Sequence, residues 1–197
     1  MTIAVINSGG ANLGSVVHAL NRLGAESVLT RDANEIRAAS RVILPGVGAA
    51  ASAMNALREA GLVEVIRGLT QPVLGICLGL QLLFERSDEG DADCLGLIPG
   101  SVRKLEVKAG QRLPHMGWNQ LTWTDPNDVL GRGLTGREWF YFVHSYAAPL
   151  AAATAISEHG ERFAAVVRHG NFAACQFHPE KSAAAGATIL ANFLQAR

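Results

Sequence analysis

The 197-residue chain is short of several things, and each shortage closes off a class of function. It has no excess of either charge: 17 basic residues balance 17 acidic ones, with no basic run to follow a phosphate backbone, so nucleic acid is not expected as a partner. No apolar stretch approaches the ~20 residues that cross a bilayer. Met1-Thr2-Ile3-Ala4-Val5-Ile6 has neither a basic n-region nor a cleavage site, so the chain reads as a cytoplasmic protein without a membrane partner. The three cysteines, Cys77, Cys94 and Cys175, are an odd number with no Cys-x-x-Cys pair, which argues against a disulfide framework and a structural zinc site. No metal and no cofactor is expected. Gly9-Gly10-Ala11-Asn12-Leu13-Gly14 has Ala11 where a dinucleotide fingerprint needs its second glycine, and no Gly-Lys-Ser/Thr follows. It reads as a turn capping a helix, with a place at the mouth of a site as the alternative.

What is present begins with a segment shaped like a nucleophile elbow, Gly75-Ile76-Cys77-Leu78-Gly79. Gln71–Ile76 before it reads as a buried strand and Leu78–Phe84 after it as a helix, so Cys77 would stand at a sharp strand-to-helix turn, near free helix amides. A hundred residues on, Gln176-Phe177-His178-Pro179-Glu180 carries a base and an acid. On an extended chain, positions two apart share a face, which lets His178 and Glu180 point at one site. Cysteine as nucleophile, histidine as base and glutamate as orienting group form a complete set for acyl transfer. Taken singly, a lone cysteine is a small core residue and a His-Pro-Glu is loop; the strand–turn–helix setting is what joins them.

The first half alternates short apolar strands (Ile3–Ile6, Ser27–Thr30, Val42–Leu44) with helical patterns at Leu13–Leu23, Ala33–Ala39 and Ala49–Leu69, the signature of a parallel sheet with helices on both faces. After Gly90, Val102–Val107, Gln120–Trp123, Glu138–Val143, Thr154–Ser157, Arg162–Arg168 and Phe172–Phe177 read as strands joined by short turns, and Ser182–Ala196 returns to helix. The expected fold is thus a three-layer α/β arrangement with an appended antiparallel portion, in one domain over residues 1–197. Pro45-Gly46-Val47-Gly48 ends a different parallel strand, expected on the same sheet edge, where a backbone amide can join that of Leu78 in holding an oxyanion; the alternative is a plain turn before a helix. Phe140 and Phe142 read as core, as do Cys94 and Cys175. His18, His115, His159 and His169 read as surface or structural, and His144 as a site wall. Trp118, between Gly117 and Asn119 in a loop, reads as a partner contact.

Gly-Ile-Cys-Leu-Gly-Leu-Gln with Gln-Phe-His-Pro-Glu-Lys-Ser resembles the class I (triad) glutamine amidotransferases, which hydrolyse glutamine and deliver ammonia to a synthase. Ser-Gly-Gly-Ala-Asn-Leu, Leu-Pro-Gly-Val-Gly, Pro-His-Met-Gly-Trp-Asn and Tyr-Phe-Val-His-Ser-Tyr are similar to segments of the glutaminase subunits that serve imidazole glycerol phosphate synthase in histidine biosynthesis. The resemblance runs from Ile3 to the final helix and implies a flavodoxin-like sheet. It implies that Cys77 attacks the glutamine amide, His178 shuttles the proton and Glu180 orients His178. Leu78 and Val47 would supply oxyanion amides, and Gly46, Gln81, Ser145 and Tyr146 would hold glutamine. The implied partner is a (β/α)₈-barrel cyclase in a heterodimer, faced by Asn12, Trp118, Asn119 and Lys181. Asn7-Ser8 departs from the family, where an acidic or aromatic residue is expected. From the residues, three other readings stay open: a glutaminase for a different synthase, a cysteine hydrolase or stress protein on a similar sheet, and a non-catalytic module.

Overall fold

The computed structural model describes residues 2–9 and 13–196. The first half runs β1 (Ile3–Ile6), α1 (Leu13–Arg22), β2 (Ser27–Thr30), α2 (Ala33–Ala38), β3 (Arg41–Gly46), α3 (Ala50–Glu59), α4 (Val63–Arg67) and β4 (Val73–Cys77). The second half runs α5 (Leu78–Gln81), β5 (Phe84–Ser87), β6 (Ala92–Asp93), β7 (Ile98–Lys104), β8 (His115–Gln120), β9 (Thr122–Trp123), β10 (Trp139–His144), β11 (Tyr146–Ala147), β12 (Ala153–His159), β13 (Glu161–His169), β14 (Phe172–Cys175) and α6 (Ala183–Gln195). The main sheet has the order β2-β1-β3-β4-β14-β13-β12-β9. Its first five strands are parallel and the remaining pairings antiparallel. Two small sheets, β8 with β10 and β11-β7-β5-β6, complete the architecture.

Every residue of β1 and β4 is buried, because helices cover both faces of the parallel half. Alternate strand residues point to opposite sides. Ala4, Ile6, Val42, Leu44 and Val73 pack with Ile36, Met54, Leu57 and Ile66 of α2, α3 and α4. Ile3, Val5, Ile43, Leu74 and Ile76 pack on the other side with Val16 and Leu20 of α1 and Ile189, Leu190 and Phe193 of α6. This is the three-layer α/β fold anticipated from the alternation, with the antiparallel strands continuing its edge. No helix among the described residues is long and apolar enough to cross a membrane.

Two local expectations are corrected. The helix read over Leu78–Phe84 lasts one turn, since Leu78 to Phe84 are buried throughout and offer no polar face to solvent. The carbonyls of Leu82 and Leu83 accept from Leu95, Leu97 and Ile98 instead, and the chain leaves as strand β5. Trp118 lies in strand β8, not a loop: from His115 to Gln120 the chain pairs residue for residue with β10, Trp118 opposite Tyr141. That pairing is non-local, so the Pro and Gly punctuation around it outweighed it in the local pattern.

Candidate active site

β4 lies between β3 and β14, so the loops after these parallel strands meet at one sheet edge, the usual place for a site in such folds. Cys77 ends β4 with φ 54° and ψ −109°, a conformation L-residues rarely adopt, and Leu78 opens α5 directly after it. The flanking glycines allow this turn to sit on the sheet. A Cβ on Gly79 would lie 1.8 Å from the Leu44 carbonyl oxygen, and one on Gly75 would lie 2.9 Å from the Gly79 backbone and from Ala174. Gly46, paired in register with Cys77, packs so tightly under the elbow that its Cβ would meet Leu78 at 2.8 Å. The Ser8 hydroxyl donates to the Pro45 carbonyl at 2.7 Å and ties the first loop to this one. Asn12 lies outside the described residues.

His178 and Glu180 come together by a different local geometry from the extended chain expected. His178 is extended, but Pro179–Lys181 forms a 3₁₀ turn, and the turn brings Glu180 back beneath the ring. His178 Nδ1 donates to Glu180 Oε1 at 2.7 Å, with both side chains almost wholly buried. The backbone is clamped on both sides: His178 N–H donates to the Tyr141 carbonyl at 2.8 Å, and the Ser182 hydroxyl donates to the His178 carbonyl at 2.6 Å while accepting from Tyr141 N–H at 2.9 Å. Burial alone would lower the pKa of His178. Its interactions with the Cys77 sulfur, as thiolate, and then with Glu180 outweigh burial and raise it to about 10. Its Nδ1 is taken up by Glu180, which leaves Nε2 as the ring atom turned to Cys77, without a hydrogen bond of good geometry.

Cys77 and His178 open onto a cleft of about 270 Å³, the size of a small-ligand pocket. Val47, Leu78, Gln81, Ser145, Tyr146 and Lys181 line it, so most of the residues implicated from sequence share one cavity. Gly46 does not line it but supports it from below. Gln81 Nε2 donates to the Tyr146 carbonyl at 2.9 Å. His144 forms part of the wall, as expected, and is joined to His115 at 3.0 Å. Trp118 is half exposed on β8 beside exposed Met116 and Trp139, while Asn119 donates to the Glu158 carbonyl at 2.9 Å. The Lys181 ammonium lies 5.9 Å from the Tyr141 ring centre, and Trp118 packs edge-on against the same ring. Phe140, Phe142, Cys94 and Cys175 are buried. Burial pushes the Cys94 thiol up to about 11 and raises Cys175 well above its ordinary value, as suits inert core thiols. Among the described residues no cluster of His, Cys, Asp or Glu could hold a metal ion.

Glu89 was not anticipated: among the described residues it is the only acidic side chain lining the cleft, and its Oε2 accepts from the Ala50 amide at 3.0 Å. Nothing in the local pattern Ser-Asp-Glu-Gly marks it as more than a turn. Ser182 and Gln176 lie next to the triad motif, yet their residue types alone give them no part. A buried cysteine on a strained elbow, a histidine with raised pKa and a carboxylate orienting it can carry out nucleophilic acyl transfer through a thioester.

The chain belongs to the class-I glutamine amidotransferase family, whose pattern matches residues 4–196, and it is accordingly a glutamine amidotransferase. Within that family it is 56% identical over 194 residues to imidazole glycerol phosphate synthase subunit HisH of Xanthomonas axonopodis pv. citri (strain 306), covering 98% of this chain and 96% of the relative. It is 53% identical over 193 residues to subunit HisH 2 of Legionella pneumophila (strain Paris), with 98% and 96% covered. Among solved structures, a glutamine amidotransferase aligns with a TM-score of 0.74 at 22% identity over 98% of this chain and 97% of that one. The glutaminase domain of Trypanosoma brucei CTPS aligns with a TM-score of 0.66 at 15% identity, over 100% and 95%. At such identities these two bear on the fold alone.

Proposed function

We propose that this chain is the glutaminase subunit of an imidazole glycerol phosphate synthase, acting in the cytoplasm as a heterodimer with a (β/α)₈-barrel cyclase. The reading is supported by its likeness to HisH subunits over almost the whole length of both chains. The observation that carries the chemistry is the meeting of the strained Cys77 elbow with the His178–Glu180 pair in one cleft.

In this mechanism His178 holds its proton at Nε2, as its raised pKa favours, and the Cys77 sulfur attacks the side-chain carbonyl carbon of glutamine as the thiolate. The carbonyl electron pair moves to oxygen, where the amides of Leu78 and Val47 stabilise it, each such donor worth about 10²–10³ in rate. His178 returns the proton to the departing nitrogen, ammonia leaves, and a glutamyl thioester remains on Cys77. A water molecule, deprotonated by His178, attacks the thioester carbon; the C–S bond breaks, glutamate leaves and the imidazolium–thiolate pair is restored. Glu180 keeps the imidazolium oriented through both half-reactions. The Glu89 carboxylate suits the substrate's α-ammonium, and Gln81 with the Ser145–Tyr146 backbone suits its amide and carboxylate. Ammonia then passes to the cyclase across the face carrying Trp118, Asn119 and Lys181.

The test is glutamate release from glutamine by this chain, alone and mixed with a purified (β/α)₈-barrel cyclase plus its nucleotide ligand. The chain alone is expected to be nearly silent and the mixture strongly stimulated, with Cys77→Ala lowering the stimulated rate by on the order of 10³ or more while the complex still forms. Stimulation by another synthase but not by the cyclase would refute the assignment of partner; turnover by Cys77→Ala would refute the triad.

A further inference from the structure

Gln176 is a fully buried polar side chain directly behind the nucleophile, and the mechanism above leaves it without a role. Its Nε2 lies 3.7 Å from Cys77 Sγ, and its Oε1 lies 3.0 Å from Gln81 Nε2. The orientation of both carboxamides follows from the groups around them. The Tyr146 carbonyl can only accept, so the Gln81 atom 2.9 Å from it is the NH₂ group. The second hydrogen of that NH₂ meets Gln176, whose facing atom must therefore be the oxygen, and this turns the Gln176 NH₂ towards the sulfur. The Tyr146 carbonyl is itself held by His144 Nδ1–H at 2.9 Å, which anchors the far end of the chain of bonds.

We propose that Gln176 is a further catalytic residue: its carboxamide donates an N–H to the Cys77 sulfur, and Gln81 is the positioning residue that aims it. The proposal rests on Cys77 being the nucleophile. A thiol sulfur accepts hydrogen bonds weakly and a thiolate strongly, so a donor fixed at this place favours the attacking thiolate over the thiol. The sulfur is also the leaving group when the thioester is hydrolysed, and the same N–H serves it there. Both amide hydrogens of Gln81 are committed to Tyr146 and Gln176, so only its Oε1 is left to meet substrate. Gln81 thus works on the nucleophile as well as lining the cleft.

The test is the rate at which iodoacetamide alkylates Cys77 near neutral pH, located by peptide mass spectrometry in the full chain, together with kcat and KM for glutamine in the stimulated complex. Gln176→Met keeps the volume and removes the donor. Alkylation and kcat are each expected to fall about tenfold or more, with KM within about twofold, the size of a lost hydrogen bond to a charged acceptor. Gln81→Met, which frees the Gln176 amide to turn, is expected to lower alkylation in the same direction and serves alone if Gln176→Met does not fold. Unchanged alkylation and kcat in a folded variant would overturn the proposal, as would an effect confined to KM. Failure of Cys77 itself is read separately: if wild-type alkylation falls on another thiol, or Cys77→Ala keeps its turnover, the nucleophile assignment fails rather than the role of Gln176.

Discussion

Lowering the pH to about 5 is expected to cost this fold about 4 kcal/mol through two buried imidazoles, His115 and His144, and replacing both should remove that loss. The two rings are joined at 3.0 Å, and the hydrogens on them are dictated by their neighbours. The Tyr146 carbonyl requires a hydrogen on His144 Nδ1, so the neutral ring's Nε2 accepts from His115 Nδ1–H. His115 Nε2 is then bare and faces the Asn119 amide at 3.4 Å, while the ring stacks on His159 and Phe142. A proton added to His144 Nε2 would set two N–H groups against each other in a pocket walled by Phe142 and Phe163. Burial, with the charge of His159, brings the pKa of His115 down to about 4. Burial also brings His144 down to about 3, outweighing the Tyr146 carbonyl and reinforced by His115, His159 and His178.

The sign follows from proton counts. Between about pH 6.5 and the folded values, the unfolded chain binds protons that the folded chain refuses, so stability is full above 6.5 and falls as the pH falls. At pH 5 each ring has lost about 2 kcal/mol, against a total stability of roughly 5–15 kcal/mol for a domain. His178 acts in the opposite sense: its raised pKa gives a contribution that is complete below about 6.5 and fades as the pH rises towards 10. Wild-type data alone would mix the two, so the measurement is a comparison. Urea unfolding at about pH 8 and pH 5, followed by the fluorescence of Trp118, Trp123 and Trp139, is made on wild type and on His115→Phe/His144→Gln. The variant starts lower at pH 8 but should lose about 4 kcal/mol less on acidification. Equal losses in the two proteins would refute the reasoning.

Two further expectations concern the triad's support. In Glu180→Gln the imidazole loses its carboxylate partner, so the His178 pKa, read by NMR titration, should fall from about 10 and the stimulated kcat should drop about tenfold or more; an unmoved pKa would contradict the assigned role. A Cβ at position 186 would lie 1.9 Å from the Pro179 carbonyl oxygen, so Gly186→Ala must part α6 from the turn that carries Glu180. A loss of about 2–3 kcal/mol in urea unfolding with reduced glutaminase activity is expected, and a change below about 0.5 kcal/mol would show that the turn yields.

The chain's local pattern decided a good deal about this protein. Ile3–Ile6 and the run ending at Cys77 had to be buried strands, since they are continuous apolar stretches between helical patterns, and Gly75-Ile76-Cys77-Leu78-Gly79 had the shape of the elbow that the structure shows. Cys77, His178 and Glu180 were legible as candidates because each is marked by its immediate neighbours. The tertiary structure decided what those neighbours could not. Leu78–Leu83 has the composition of a helix, but the amides of Leu95, Leu97 and Ile98 take its last carbonyls and the chain runs out into β5. His115–Gln120 is a strand only because β10 lies beside it. Glu89, Gln176, Ser182 and the His115–His144 pair gain their chemistry from partners far along the chain: 39, 99, 41 and 29 residues away for the Ala50, Cys77, Tyr141 and histidine contacts. Short-range sequence encodes backbone conformation and burial; which polar atoms meet in the dry interior is fixed only when the sheet closes and every buried donor must find an acceptor.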